Sequence, residues 1–303
     1  MLYVLVTPAR NEAAFIEGTI RSVVAQTQCP LHWVIVSDGS TDGTDDIVRR
    51  YAAQNPWIEL LRMPEHRDRQ FAAKANAFNA GYARLRELNL DYHVIGNLDA
   101  DLSFGPDHFA FLMSKFADNP RLGVAGTPFR EGETTYDYRF TSVEHVSGAC
   151  QLFRRECFEA IGGYVPIKAG GIDLVAVVSA RMKGWETRTF TDRWVMHHRK
   201  MGSAGHSALG AFFKGGFHDY LMGVHPVWQF CRCFYQISRP PWILRGSLLL
   251  TGYCWAALKR VPRPVSDQFV EFRRHEQMLR LRNVLRWPWK TRAAGPLRRS
   301  PTC

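Results

Sequence analysis

The chain has 303 residues, 46% hydrophobic and 22% charged, a composition that excludes a disordered or fibrous protein and leaves room for a sizeable core. Its formal net charge of +11 is uneven: residues 1–180 hold 17 Lys and Arg against 22 Asp and Glu, and residues 181–303 hold 22 against 6. A basic second part of this kind suggests an anionic surface as partner, either membrane or nucleic acid.

Leu2–Val6 is strand-like, and Phe15, Ile16, Ile20, Val23 and Val24 follow it at helical spacing. A strand at Trp33–Ser37, a helix from about Asp42 to Ala53, a strand near Ile58–Leu61 and a helix near Phe71–Leu88 come next. Tyr92-His93-Val94-Ile95-Gly96 reads as a buried strand. Pro106 suits the first turn of a helix through Phe116. Val124–Phe129 suits another strand, and the polar Arg130–Glu144 a loop or edge excursion. This alternation predicts βαβ units and a mostly parallel sheet flanked by helices, an α/β fold.

Beyond about residue 200 the strand signals stop and aromatics, Arg and Gly take over. The expected organisation is one domain over residues 1–200 and a mainly helical, basic extension over 201–303, ending in a basic tail without fixed structure. Trp242–Leu258 is apolar except for Arg245, but its 17 residues fall short of a membrane span. With Arg239 before it and Lys259, Arg260 and Arg263 after it, the segment suits the headgroup boundary of a membrane. A helix packed on the protein is the alternative.

Seven cysteines (29, 150, 157, 231, 233, 254 and 303) are odd in number and match no metal spacing, so they read as reduced thiols in a cytosolic setting. No basic stretch or cleavage site precedes the first apolar run, so no signal peptide is expected and the expected localisation is cytoplasmic.

The chemistry concentrates at strand ends. Asp99-Ala100-Asp101 follows the buried strand and sets two hard oxygen ligands, suited to Mg²⁺ or Mn²⁺, at the crevice where open α/β sheets bind ligands. Thr7-Pro8-Ala9-Arg10-Asn11-Glu12 ends the first strand and Ser37-Asp38-Gly39-Ser40-Thr41-Asp42 the second, so their side chains can converge there. Ser40, Thr41 and Asp42 also suit capping of the next helix, which leaves Asp38-Gly39 to be explained by ligand binding.

Together these segments resemble the inverting family 2 glycosyltransferases of GT-A fold, of the type that builds bacterial cell envelopes and exopolysaccharides. The resemblance runs through Pro8…Asn11-Glu12, Val36–Thr44, Lys74-Ala75-Asn76-Ala77-Phe78-Asn79-Ala80-Gly81, Asp99-Ala100-Asp101, Gly148–Arg155 and Ile161-Gly162-Gly163-Tyr164, and covers roughly residues 2–200. It implies a nucleotide-sugar donor bound by Pro8, Arg10, Asn11, Glu12, Asp38, Ser40, Lys74 and Asn76, with Asp99 near the ribose or donor sugar. It implies a divalent metal on Asp101, completed by His197 and His198 after the strand-like Trp194-Val195-Met196, with Arg199 and Lys200 near the diphosphate. Asp173 is the implied general base, although Ile172 stands where the family usually has Glu; a helix N-cap is the plainer role for Asp173. The implied acceptor is a saccharide or a polyprenyl-linked sugar on the cytoplasmic face of the inner membrane.

Gln229-Phe230-Cys231-Arg232-Cys233 echoes the Gln-x-x-Arg-Trp motif of processive synthases without its tryptophan, so a single addition is expected. A nucleotidyltransferase or a dinucleotide oxidoreductase would need a Gly-rich loop after the first strand, and Thr7–Glu12 has no glycine. A basic nucleic-acid-binding protein would leave the acidic constellation unexplained, so no nucleic-acid partner is expected.

Overall fold

The computed structural model describes residues 1–65, 71–132, 134–135, 142–199, 208–237 and 242–286. They belong to two compact units, Met1–His206 and Ser207–Cys303. Lys200, Arg239 and the basic tail lie outside the described residues, as does part of the Arg130–Glu144 excursion.

The first unit opens with β1 (Tyr3–Ala9), α1 (Ile16–Val24), β2 (His32–Asp38), α2 (Thr44–Ala52), β3 (Ile58–Met63), α3 (Phe71–Glu87) and β4 (Val94–Leu98). It continues with β5 (Leu102–Ser103), α4 (His108–Asp118), β6 (Leu122–Gly126), β7 (Phe129–Glu131), β8 (Thr134–Thr135), β9 (Cys150–Arg154), α5 (Arg155–Ala160), α6 (Ile172–Met182), β10 (Glu186–Thr189) and β11 (Val195–His197). Seven strands form the main sheet in the order β10-β6-β9-β4-β1-β2-β3, and every pairing is parallel except the two made by β9. The small sheet β5-β11-β7-β8 lies apart from it.

Side-chain alternation explains the apolar runs. Tyr3, Leu5, Trp33 and Ile35 join Ile16, Ile20, Phe109, Leu112 and Phe116 in one core. Val4, Val6, Val34 and Val36 are equally buried, and Gly81 of α3 lies against Val6 and Val36. A sheet covered on both faces needs apolar residues at both parities, so its strands read as continuous hydrophobic segments.

The apolar run Val124–Phe129 belongs to two strands rather than one. The chain leaves the main sheet after Gly126 and pairs again only from Phe129, in the small sheet, with Pro128 between them. Pro106 lies ahead of α4 rather than within its first turn, in a bend where the His108 N–H donates to the Gly105 carbonyl at 3.3 Å.

The second unit contains α7 (Ala208–Leu221), α8 (Pro226–Ile237), α9 (Trp242–Leu258) and α10 (Asp267–Arg286). Helix α9 buries Gly246, Leu249, Gly252, Tyr253 and Ala256 along one stripe and exposes Trp242, Ile243, Leu244, Trp255 and Leu258. Among the described residues no helix is long and apolar enough to cross a membrane.

Candidate active site

Strand register builds the site. Val6 of β1 faces both Val34 of β2 and Asn97 of β4, so the three strands end on one side and release Arg10, Gly39 and Asp99 into the same crevice. Pro8 sits beyond the last β1–β4 pair, where a missing N–H interrupts no ladder on that side. The Asp99 N–H donates to the Ala149 carbonyl at 2.8 Å, which ties the turn after β4 to the start of β9.

The small sheet then brings in a distant histidine. In the β5–β11 pairing His197 lies opposite Leu102, one residue past Asp101. Ligand atoms of Asp99, Asp101 and His197 lie within 4.8 Å of one another. His197 Nε2 is 3.5 Å from Asp101 Oδ2, and its Nδ1 is 3.3 Å from Glu131 Oε1 on β7. That Nδ1 is buried and makes no aligned hydrogen bond. Two carboxylates and an imidazole backed by a further carboxylate form a donor set that fits a divalent cation.

The neighbouring histidine turns elsewhere: His198 Nε2 pairs with Ser103 Oγ at 2.8 Å, and its N–H donates to the Asp101 carbonyl at 3.0 Å. Arg199 reaches back to the first loop, with Nη2 at 2.5 Å from Glu12 Oε2 and Nε at 3.9 Å from Asp101 Oδ2. Burial pushes the Glu12 carboxyl up to about 7, with Arg199 opposing and Asp101, Asp99 and Asp42 reinforcing. Burial likewise raises the Asp99 carboxyl, against the pull of Lys74, whose Nζ is 2.5 Å from Asp99 Oδ1.

A cavity of about 310 Å³ opens beside this cluster, lined by Lys74, Asn97, Asp99, Gly148, Asp173 and His197 among others. Asp173 is not the N-cap of α6. That position belongs to Gly171, at φ 85°, and Asp173 lies in the first turn. Its Oδ2 accepts the Gly148 N–H at 3.2 Å.

The first two loops hold each other. The Asn11 N–H donates to Ser40 Oγ at 3.1 Å, and the Thr41 N–H to Asn11 Oδ1 at 2.8 Å. Asp42 accepts the Thr44 and Ala13 N–H groups at 3.0 and 3.1 Å, one residue ahead of the N-cap Gly43. Asp38 is buried beneath them, 4.0 Å from Arg10 Nη1. Asn76 is exposed on α3, two residues from Lys74, and positions so spaced on a helix do not share a face.

Sequence reasoning missed Glu131, Asn97 and the part played by Gly148. Glu131 arrives only through the parallel β7–β11 pairing, which no local pattern announces. Gly148 stood inside a recognised motif with no role attached. Asn97, just past the buried run Tyr92–Gly96, carried no role in the sequence, yet its Nδ2 donates to the Gly148 carbonyl at 2.5 Å.

Comparisons with known proteins bear on family and fold. The sequence profile described as Glycosyl transferase family 2 matches residues 4–170. The chain is 28% identical over 138 residues to the poly-beta-1,6-N-acetyl-D-glucosamine synthase of Staphylococcus aureus (strain COL), covering 45% of this chain and 31% of the synthase. It is 31% identical over 178 residues to the succinoglycan biosynthesis protein ExoA of Rhizobium meliloti (strain 1021), covering 53% and 52%. The matches thus span about a third to a half of the length of these relatives. Among solved structures, a Pyrobaculum calidifontis mannosyltransferase in complex with GDP-Man and Mn²⁺ superposes with a TM-score of 0.55 at 21% identity, covering 92% of this chain and 80% of that one. Staphylococcus aureus TarS 1-349 in complex with UDP-GlcNAc superposes with a TM-score of 0.54 at 12% identity, covering 90% and 78%. The fold is therefore GT-A, with a helical C-terminal part.

Proposed function

We propose, from the premise that this chain belongs to glycosyl transferase family 2 and is a glycosyltransferase, that it moves one sugar from a nucleotide-sugar donor to a saccharide or lipid-linked acceptor with inversion. The observation that carries the proposal is one cavity lined at once by Asp99, His197 and Asp173, with Asp101 against His197.

Asp38 and Arg10 take the nucleobase and ribose, on a platform that Asn11 and Ser40 hold together. Asp99, Asp101 and His197 would hold Mn²⁺ or Mg²⁺, which supplies charge neutralisation for the leaving nucleoside diphosphate. Arg199, already beside Asp101, adds a guanidinium for diphosphate oxygens. The acceptor hydroxyl attacks the anomeric carbon on the face opposite the leaving group. Asp173 takes its proton, and the electrons of the breaking carbon–oxygen bond leave with the diphosphate.

A single addition suits the second unit, where Gln229 is buried and Arg232 is held by Asp219 at 2.6 Å. The exposed apolar residues of α8 and α9 support peripheral contact with the cytoplasmic face of a membrane, beside a polyprenyl-linked acceptor. The test is a panel of UDP-, GDP- and dTDP-sugars, with nucleoside diphosphate release measured with Mn²⁺, with Mg²⁺ and with EDTA. One donor class should turn over with metal and stop with EDTA. Full activity in EDTA would remove the metal role, and no turnover of any donor would remove the proposal.

A further inference from the structure

Gly148 stands at the junction of the two halves of the site. Its carbonyl accepts Lys74 Nζ at 3.2 Å and Asn97 Nδ2 at 2.5 Å, and the same Lys74 is 2.5 Å from Asp99. Its N–H donates to Asp173 Oδ2 at 3.2 Å. One residue's backbone thus joins the carboxylate of Asp99 to that of Asp173 across the cavity.

The reason for glycine at this position is specific. Gly148 is not among the residues with left-handed φ, so its backbone would accept alanine. Space would not: an added Cβ would lie 2.8 Å from Asp173 Cβ and 3.2 Å from its Cγ and Oδ2. The three atoms nearest to that Cβ all belong to Asp173, so the missing side chain leaves room for that carboxylate.

We propose that Gly148 is a positioning residue for transfer: its N–H aims the Asp173 carboxylate, and its carbonyl, clamped by Asn97 and Lys74, fixes that aim relative to Asp99. This rests on the reading of Asp173 as general base. A base displaced by about an ångström loses on the order of 10²-fold in rate.

The test uses the full chain with Mn²⁺ and the sugar nucleotide that turns over in the donor panel, with water as acceptor so that no acceptor need be known. Gly148→Ala should lower kcat about 100-fold and leave the donor KM and the Mn²⁺ affinity within a factor of two or so of wild type, a split that general misfolding would not give. Asp173→Asn should be nearly inactive, with a residual rate still measurable at high enzyme concentration, and adding Gly148→Ala to it should cost little more, because both act through one carboxylate. In Asp173→Gly the clash disappears, so Gly148→Ala should lower the melting temperature less there than in wild type. Wild-type kcat in Gly148→Ala beside a nearly inactive Asp173→Asn overturns the inference and spares the base. Wild-type turnover in Asp173→Asn overturns both. Losses that multiply in the double variant also overturn the positioning role.

Discussion

Carboxylates that crowd one another are held by cations or by a ligand. Asp99 has Lys74, Glu12 has Arg199, and among the described residues Asp101 has the more distant Arg199 Nε and His197. Asp101→Ala should therefore abolish Mn²⁺-dependent turnover, by about 10²-fold or more, without lowering the melting temperature of the metal-free protein. A fully active variant would show that the cluster holds no catalytic metal. Glu131→Gln keeps the shape of the second carboxylate and removes its charge from His197 Nδ1. Mn²⁺ affinity in calorimetry should fall about 10-fold or more, as when outer partners of ligating imidazoles are removed. Unchanged affinity would leave Glu131 as a mere neighbour. Asp173→Asn should bind donor like wild type in the same titration while transfer is lost, since an amide keeps the shape without the basicity. At this scale the nearness of Asp99 and Asp101 was legible because Asp-x-Asp is a local motif at a strand end, and Asp173 lines the same cavity as Asp99. Glu131 was not legible, because its contact with His197 spans a strand pairing, and the outward turn of His198 follows from strand alternation that two adjacent histidines do not reveal.

Elements were legible where periodicity is long. The β1–α1–β2–α2–β3–α3–β4 succession follows from apolar runs and helical spacing. The two- and three-residue strands β5, β7 and β8 carry too few residues for a period, and although Trp194-Val195-Met196 reads as strand-like, nothing in it announces the β5–β11 pairing that brings His197 to Asp101. Helix α4 packs against β6 and begins with His108, which is buried against Phe104 and Phe109. Burial lowers the imidazole of His108 from 6.5 to about 4. The unfolded chain takes up this proton below pH 6.5 and the folded one only near pH 4. The neutral histidine therefore contributes its full stability above pH 6.5 and loses it as the pH falls towards 4. Between pH 7 and pH 5 this amounts to about 2 kcal/mol. Urea unfolding of wild type and His108→Gln at the two pH values should differ by that amount in their pH dependence, wild type having the steeper loss. Parallel losses would mean that the imidazole already finds a proton in the folded state.

For the molecule as a whole, the charge asymmetry and the exposed apolar helices of the second unit belong to one argument. Residues 207–303 carry 16 Lys and Arg against 4 Asp and Glu. On α8 the exposed Val227, Phe230 and Phe234 recur at helical spacing, with Phe234 71% exposed. On α9 Trp242, Ile243 and Leu258 are exposed, Leu258 at 84%, and Lys259 and Arg260 follow at the surface. Water alone gives no reason to present so many large apolar side chains on adjacent helices of one unit, whereas a headgroup boundary buries them and keeps the basic ends wet. Each basic residue near an anionic leaflet contributes about 1 kcal/mol, and the contribution fades with salt. The full chain should float with phosphatidylglycerol-containing liposomes at low salt, float less with neutral phosphatidylcholine liposomes, and be released from the anionic ones as salt rises. Phe230→Ser combined with Phe234→Ser and Trp242→Ser should reduce flotation several-fold while leaving donor hydrolysis by the first unit unchanged. Absence of flotation at low salt, or equal flotation of the triple variant, would refute membrane contact through these helices.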